Sequence, residues 1–288
     1  MAALDIACRT IQGARRHQED AAALWPGPAT YEQRVDLPKP DDGRTVMVLA
    51  DGMGGHAGGA VASITVCESF LAAMSGSLDL GDGDNRDESA QVTAGVAQYE
   101  AASGADATGR RMMRALTVCN LAINDSVESE PLLEGMGATL IGAEIDSRGL
   151  TWISVGDSPL YLCRRGEIAQ LNEDHSLAPM LDRLAAEGAM SREDALADSR
   201  RHVLRSVVMG EVPPLIDLPA KPLALAAGDV VVLASDGIHT IDTDEMARIA
   251  ASYLGDGAGA IAGAMLRAVE SQRDPYQDNT TLIVIKVT

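Results

Sequence analysis

Two short apolar runs, Thr45–Ala50 (TVMVLA) and Val230–Ala234 (VVVLA), each stop at an aspartate: Asp51 directly, Asp236 one residue on. Continuous apolar stretches of this length, bounded by turn signals, read as buried strands. A third run, Thr280–Val287, begins just after Asp278 and Asn279. Carboxylates at strand ends converge when the strands stack. Two unit charges about 4 Å apart repel by about 4 kcal/mol at an effective dielectric of about 20. A cluster of them is tolerable only when protons or cations neutralise it. Oxygen-only ligands select hard ions such as Mg²⁺ or Mn²⁺. The pattern therefore predicts a metal site built from aspartates. Arg15, in the stretch RRHQED (Arg15–Asp20), supplies a cation for an anionic substrate.

The remaining pattern alternates hairpin-like strands with paired helices. Ile6–Ile11 reads as a strand and residues 26–44 as a loop rich in Pro, Asp and Gly. Gly58–Met74 is small, apolar and free of proline, so helical; 75–90 is an acidic loop. A long helical stretch then breaks near Ser103–Gly109 and resumes from Arg110 to about Glu128. Ala138–Glu144, Leu150–Val155 and Leu160–Arg164 are strands separated by tight-turn residues, with Glu167–Leu171 as an edge strand. Helices are expected around Leu181–Glu187 and Arg192–Ala197, and again at Asp244–Leu254 and Ala258–Ser271. Strand layers covered by helices make this an α+β chain. With no internal repeat and no strong linker, 1–288 reads as a single domain.

Hydrophobic residues make up 46% of the 288 positions but aromatics only 3%, so the core must come from Val, Leu, Ile, Ala and Met. A net charge of −19 argues against a nucleic-acid partner, which requires a basic face. Cys8, Cys67, Cys119 and Cys163 form no CxxC pair and read as reduced thiols. With no apolar signal segment and no membrane-length apolar run, a cytoplasmic protein without membrane contact is expected.

In order along the chain stand RxxxED (Arg15–Asp20), DGMGGH (Asp51–His56), GAT (Gly137–Thr139), VGDS (Val155–Ser158), SDG (Ser235–Gly237) and DN (Asp278–Asn279). Each is weak alone; six in this order resemble the type 2C metal-dependent serine/threonine protein phosphatases of bacterial type, across essentially the whole chain. The resemblance implies a four-layer α-β-β-α sandwich, two antiparallel sheets flanked by helix pairs. It implies two Mn²⁺ or Mg²⁺ ions per chain, bridged by Asp51, with the Gly52 carbonyl on one ion and Asp236 and Asp278 on the other. Glu19 and Asp20 would sit beside the site through metal-bound waters, Arg15 would grip phosphate, and Asn279 would orient Asp278. Residues 172–205 would be a flap near the site. The implied reaction is hydrolysis of phosphoserine and phosphothreonine on proteins by a metal-bridging water, opposing a Ser/Thr kinase. The alternative is an inactive phosphatase-like binding module.

The chain departs from that pattern in places. Met53 stands where some relatives carry a histidine proposed as leaving-group acid, and His56 lies three residues on. One carboxylate of the family's third metal site falls at Glu134, where aspartate is usual, and another falls at Thr240, with Asp242 out of register. A weak or absent third site is therefore expected. Pro159 replaces a frequent arginine, and Asp157 is expected to tie turns together by hydrogen bonds. Gly52–Ala57 formally fits a dinucleotide fingerprint, but Asp51 would repel a pyrophosphate and the chain lacks alternating β-α units. Asp82–Asp87 fails as an EF-hand because Asp87 stands where glycine is required.

Overall fold

The structure is a computed structural model that describes residues 3–26, 43–54, 58–76, 94 and 105–288. The expected loops at 26–44 and 75–90, His56 and Asp82–Asp87 lie largely or wholly outside the described residues. The strands are β1 (Leu4–Ile11), β2 (Asp20–Trp25), β3 (Thr45–Met53), β4 (Gly137–Ala138), β5 (Leu140–Asp146), β6 (Gly149–Val155), β7 (Leu160–Arg164), β8 (Glu167–Gln170), β9 (Val230–Ala234) and β10 (Thr280–Val287). The helices are α1 (Gly58–Met74), α2 (Ala107–Ser129), α3 (Ala178–Ala186), α4 (Arg192–Ala197), α5 (Thr243–Ser252) and α6 (Ala258–Gln272).

One antiparallel sheet runs β1-β10-β9-β7-β8 and the other β2-β3-β5-β6, with β4 paired to β3. Alternation along β3 shows why its sequence is continuously apolar. Val46, Val48 and Ala50 face α1 and α2, packing with Val66, Phe70, Met112 and Leu116. Met47 and Leu49 face the other sheet, packing in one cluster with Leu160, Val231, Leu233 and Ile283. On the far side of β9 and β10, Val232 and Leu282 pack on Met246, Ile261 and Met265 of α5 and α6. Three apolar layers thus separate four structural layers, as expected. An antiparallel strand loses its polar alternation when both its faces are covered.

Close packing has identifiable glycines. A Cβ on Gly142 would stand 2.1 Å from Cζ of Phe70, the chain's single phenylalanine, so the ring fills the space that a side chain on β5 would take. Gly52 lets the N-terminus of α1 approach the end of β3: its Cβ would meet Gly59 O at 1.9 Å.

β2 is absent from the sequence reading. Its run of three alanines has weak strand propensity, yet it pairs along β3 with Asp20 directly opposite Asp51. No described helix is long and apolar enough to cross a membrane. Cys67, Cys119 and Cys163 are buried free thiols and Cys8 is half-buried.

Candidate active site

β3 and β9 end, and β10 begins, at one end of the sandwich. That edge gathers Asp51, Asp236 and Asp278 from both sheets. Asp20 joins them because β2 starts where β3 ends. Its Oδ2 accepts from Ser235 Oγ at 2.7 Å, a bond between the two sheets. Ser235 also accepts the Thr281 N–H at 2.9 Å, so the SDG turn is fixed to both β10 and β2. On the other side Thr139 supports Asp51: its Oγ1 accepts the Asp51 N–H at 2.9 Å, and its own N–H donates to Asp51 O at 2.8 Å.

The loop carrying Arg15 and Glu19 is fastened by Asn279. Asn279 Oδ1 accepts the Glu19 N–H at 2.8 Å, and its Nδ2 donates to Gln12 O at 2.8 Å and His17 O at 3.1 Å. Its backbone N–H donates to Asp278 Oδ1 at 2.8 Å. Asn279 therefore orients Asp278 through its backbone, and its side chain positions the whole 12–19 loop. Gly13, at φ 63°, permits this: its Cβ would lie 2.4 Å from Asp278 O. Glu19 Oε1 and Gly52 O meet over Gly59, whose Cβ would stand 2.8 and 2.9 Å from them.

Arg15 Nη2 ion-pairs with Asp278 Oδ2. Asp20, Asp51 and Asp236 have no lysine or arginine within ion-pair distance among the described residues. Burial, aided by Asp236 and Asp278, pushes Asp20 up to about 7 against the bonds from Ser235 and Thr281. Burial likewise pushes Asp51 well above the carboxylate range, with repulsion from Asp20, Asp236, Asp157 and Asp278 adding to it. Burial and then Asp278 raise Asp236. Asp20 Oδ1 and Asp236 Oδ1 are buried with no hydrogen-bond partner.

Those two orphaned oxygens fit a cation as their partner. An unmatched buried acceptor costs about 1–3 kcal/mol, more when charged. The donors are all carboxylate or carbonyl oxygens, as Mg²⁺ and Mn²⁺ require. Among the described residues, no three His, Cys, Asp or Glu side chains are already drawn close enough to hold an ion.

Three further placements refine the reading. Asp157 does not tie the turns. Asn172 does, donating to Ser158 O at 2.9 Å and accepting the Leu160 N–H at 2.7 Å. Asp157 instead joins the acids, pushed up to about 7 by burial and by Asp236 and Asp174. Thr240 Oγ1 donates to Gln277 Oε1 at 2.6 Å, and Gln277 Nε2 donates to Gly237 O at 3.0 Å, so the threonine braces the SDG turn. Glu134 is exposed after a short 3-10 helix, Pro131–Leu133, and no described contact joins it to the acids. Thr139 and Ser235 stand in the GAT and SDG motifs, but their supporting bonds, like those of Gln277, have no sequence signal because a lone hydroxyl or amide carries no spacing.

Residues 35–255 match the family model described as Protein phosphatase 2C. Serine/threonine protein phosphatase PstP of Mycobacterium tuberculosis is 33% identical over 204 residues, 70% of this chain and 33% of the relative. The chain thus spans about a third of that relative's length. Serine/threonine phosphatase stp of Listeria monocytogenes is 29% identical over 84% of this chain and 81% of its own. A crystal structure of the PstP catalytic domain in complex with 2 manganese ions superposes with a TM-score of 0.66 at 27% identity, covering 99% of this chain and 98% of that one. The four-layer fold agrees with these matches, and the chain belongs to the protein phosphatase 2C family.

Proposed function

We propose that this chain is a metal-dependent protein phosphatase that hydrolyses phosphoserine and phosphothreonine. The observation that carries the reading is the pair of orphaned buried oxygens, Asp20 Oδ1 and Asp236 Oδ1, in an edge of acids otherwise short of cations. Asp51, Asp236 and Asp278 would hold two Mn²⁺ or Mg²⁺ ions, with the Gly52 carbonyl beside Asp51. Glu19 and Asp20 would order waters around them. When bound, such ions acidify a water and offset the negative charge of a phosphate ester.

The chain's own residues then have separable tasks. Arg15 binds the phosphate dianion, for which a planar, permanently charged fork is suited. It must first exchange Asp278 for phosphate, since the Oδ2 that it occupies is an oxygen the site needs. Asn279 keeps Arg15 and Glu19 at the cleft by fixing their loop. Ser235 and Thr139 hold Asp20 and the Asp51 backbone without taking up Asp51's carboxylate. Residues 172–205, containing α3 and α4, act as a flap that bears on substrate choice. Glu134 and Thr240 make a third ion weak or absent, and His56 remains a candidate proton donor. The substrate is a phosphorylated protein modified by an opposing Ser/Thr kinase, and the reduced thiols fit action in the cytoplasm.

A metal-free binding module is the competing reading, favoured by the Arg15–Asp278 ion pair, which partly neutralises the edge without metal. Turnover of p-nitrophenyl phosphate with Mn²⁺, abolished by EDTA, is the expected result. No turnover by folded protein with Mn²⁺ leaves the binding module.

A further inference from the structure

The acid-lined edge of the sandwich has a lip that the phosphatase reading leaves unused. β3 continues past Asp51 to Met53. Alternate residues of a strand face one side, so Met53 shares the face of Asp51. Met53 pairs with Gly137 of β4, and directly opposed residues also share a face. Gly137 places no side chain there. The space that its Cβ would occupy is bounded by Val208 O at 3.0 Å, Met209 Cβ at 3.2 Å and Val207 Cγ2 at 3.4 Å. Ala138 and Val208 exchange backbone hydrogen bonds of 3.0 and 2.9 Å, which hold this segment against β4.

The outcome is a shelf beside Asp51 with Gly137 as its floor and Met53 and Met209 standing on it, 43% and 44% exposed. A single exposed apolar side chain is ordinary. Two methionines brought to one face beside a reactive acid, from segments about 150 residues apart, are a contiguous surface. Methionine's flexible thioether lets such a surface accept apolar groups of varied shape. β2 flanks β3 on one edge and β4 on the other, so a peptide whose phosphate lies over Asp51 has the Arg15–Asp20 loop on one side of it and this shelf on the other.

We propose that the shelf is a subsite for the side chain flanking the phosphorylated residue, and that it selects apolar side chains. The proposal rests on the phosphatase reading and adds the substrate class. An acidic flanking residue is repelled by the carboxylate edge. A lysine would desolvate its charge against thioethers without a partner on the shelf.

The test compares phosphothreonine peptides, identical except for Leu, Gly or Lys placed in turn just before and just after the phosphothreonine, with Mn²⁺-loaded protein. Leucine should exceed glycine in kcat/KM by about tenfold at one of the two positions. The ratio should fall to about one in Met209→Ser and survive in Met209→Leu, with p-nitrophenyl phosphate turnover equal in all three proteins. Failure of the wild type to hydrolyse p-nitrophenyl phosphate removes the phosphatase reading and the subsite together. Normal turnover of that ester with no leucine preference, with a lysine preference, or with a preference that survives Met209→Ser, overturns the subsite alone.

Discussion

The two ends of the sandwich bury carboxylates in opposite ways. At the far end, Glu144 receives Arg111 Nη2 at 2.7 and 2.9 Å, with Arg44 at 3.7 Å. Asp229 receives Arg164 at 2.9 and 2.6 Å and the Ala226 N–H at 2.7 Å. Burial alone would raise Asp229, but Arg164 and the Ala226 N–H hold it below the usual range. At the near end, Asp20, Asp51 and Asp236 are raised, and two of their oxygens have no partner. One fold thus shows that burial of an acid does not itself mark a site. Burial without a counter-ion does, because the molecule supplies arginines where an acid is only structural.

The largest effect that would break this contrast is on turnover. Asp236→Asn should lower Mn²⁺-dependent hydrolysis by about a hundredfold or more, while metal-free stability in urea is unchanged or raised. A loss of stability like that of a far-end variant would erase the distinction. Next, Arg111→Ala should destabilise the fold by about 3 kcal/mol, since it strips a buried glutamate of its main partner; Arg44 softens the loss. Denaturant midpoints measure it, and turnover per folded molecule should hold. Asn279→Ala removes three side-chain hydrogen bonds and should cost about 2 kcal/mol. It should also raise KM as the Arg15 loop loosens; an unchanged KM would remove Asn279 as a positioning residue.

The smallest effect concerns pH and His175, whose Nδ1 accepts the Gly156 N–H at 3.2 Å. Burial lowers its pKa below the ordinary 6.5 in spite of nearby Asp217. The folded state therefore disfavours the proton. Its contribution is complete above about pH 6.5 and is lost as pH falls toward the lowered value. His175→Gln should flatten the stability profile below about pH 7, by less than about 1.4 kcal/mol per pH unit.

Legibility followed the same physics. β9, β10 and α1 agree with their sequence-derived limits because apolar runs between turn residues leave little choice. β7 and α4 agree as well. β2 was illegible: three alanines carry neither strand propensity nor polar alternation, and its partner β3 imposes the pairing. Asp20, legible in sequence only as the end of RRHQED, is a strand residue opposite Asp51. The acids at the ends of strong strands were readable from their positions. Asp157 was not, because its role depends on which acids the two sheets bring near it. The supporting hydroxyls of Ser235 and Thr139 become visible only when the sheets are stacked.

Calorimetric titration of metal-free protein with Mn²⁺ tests the central claim most directly. The account predicts about two ions per chain, with stoichiometry or affinity reduced in Asp51→Asn and unaffected in Arg111→Ala. A folded protein that binds no Mn²⁺, or binds it equally well without the Asp51 carboxylate, would contradict it.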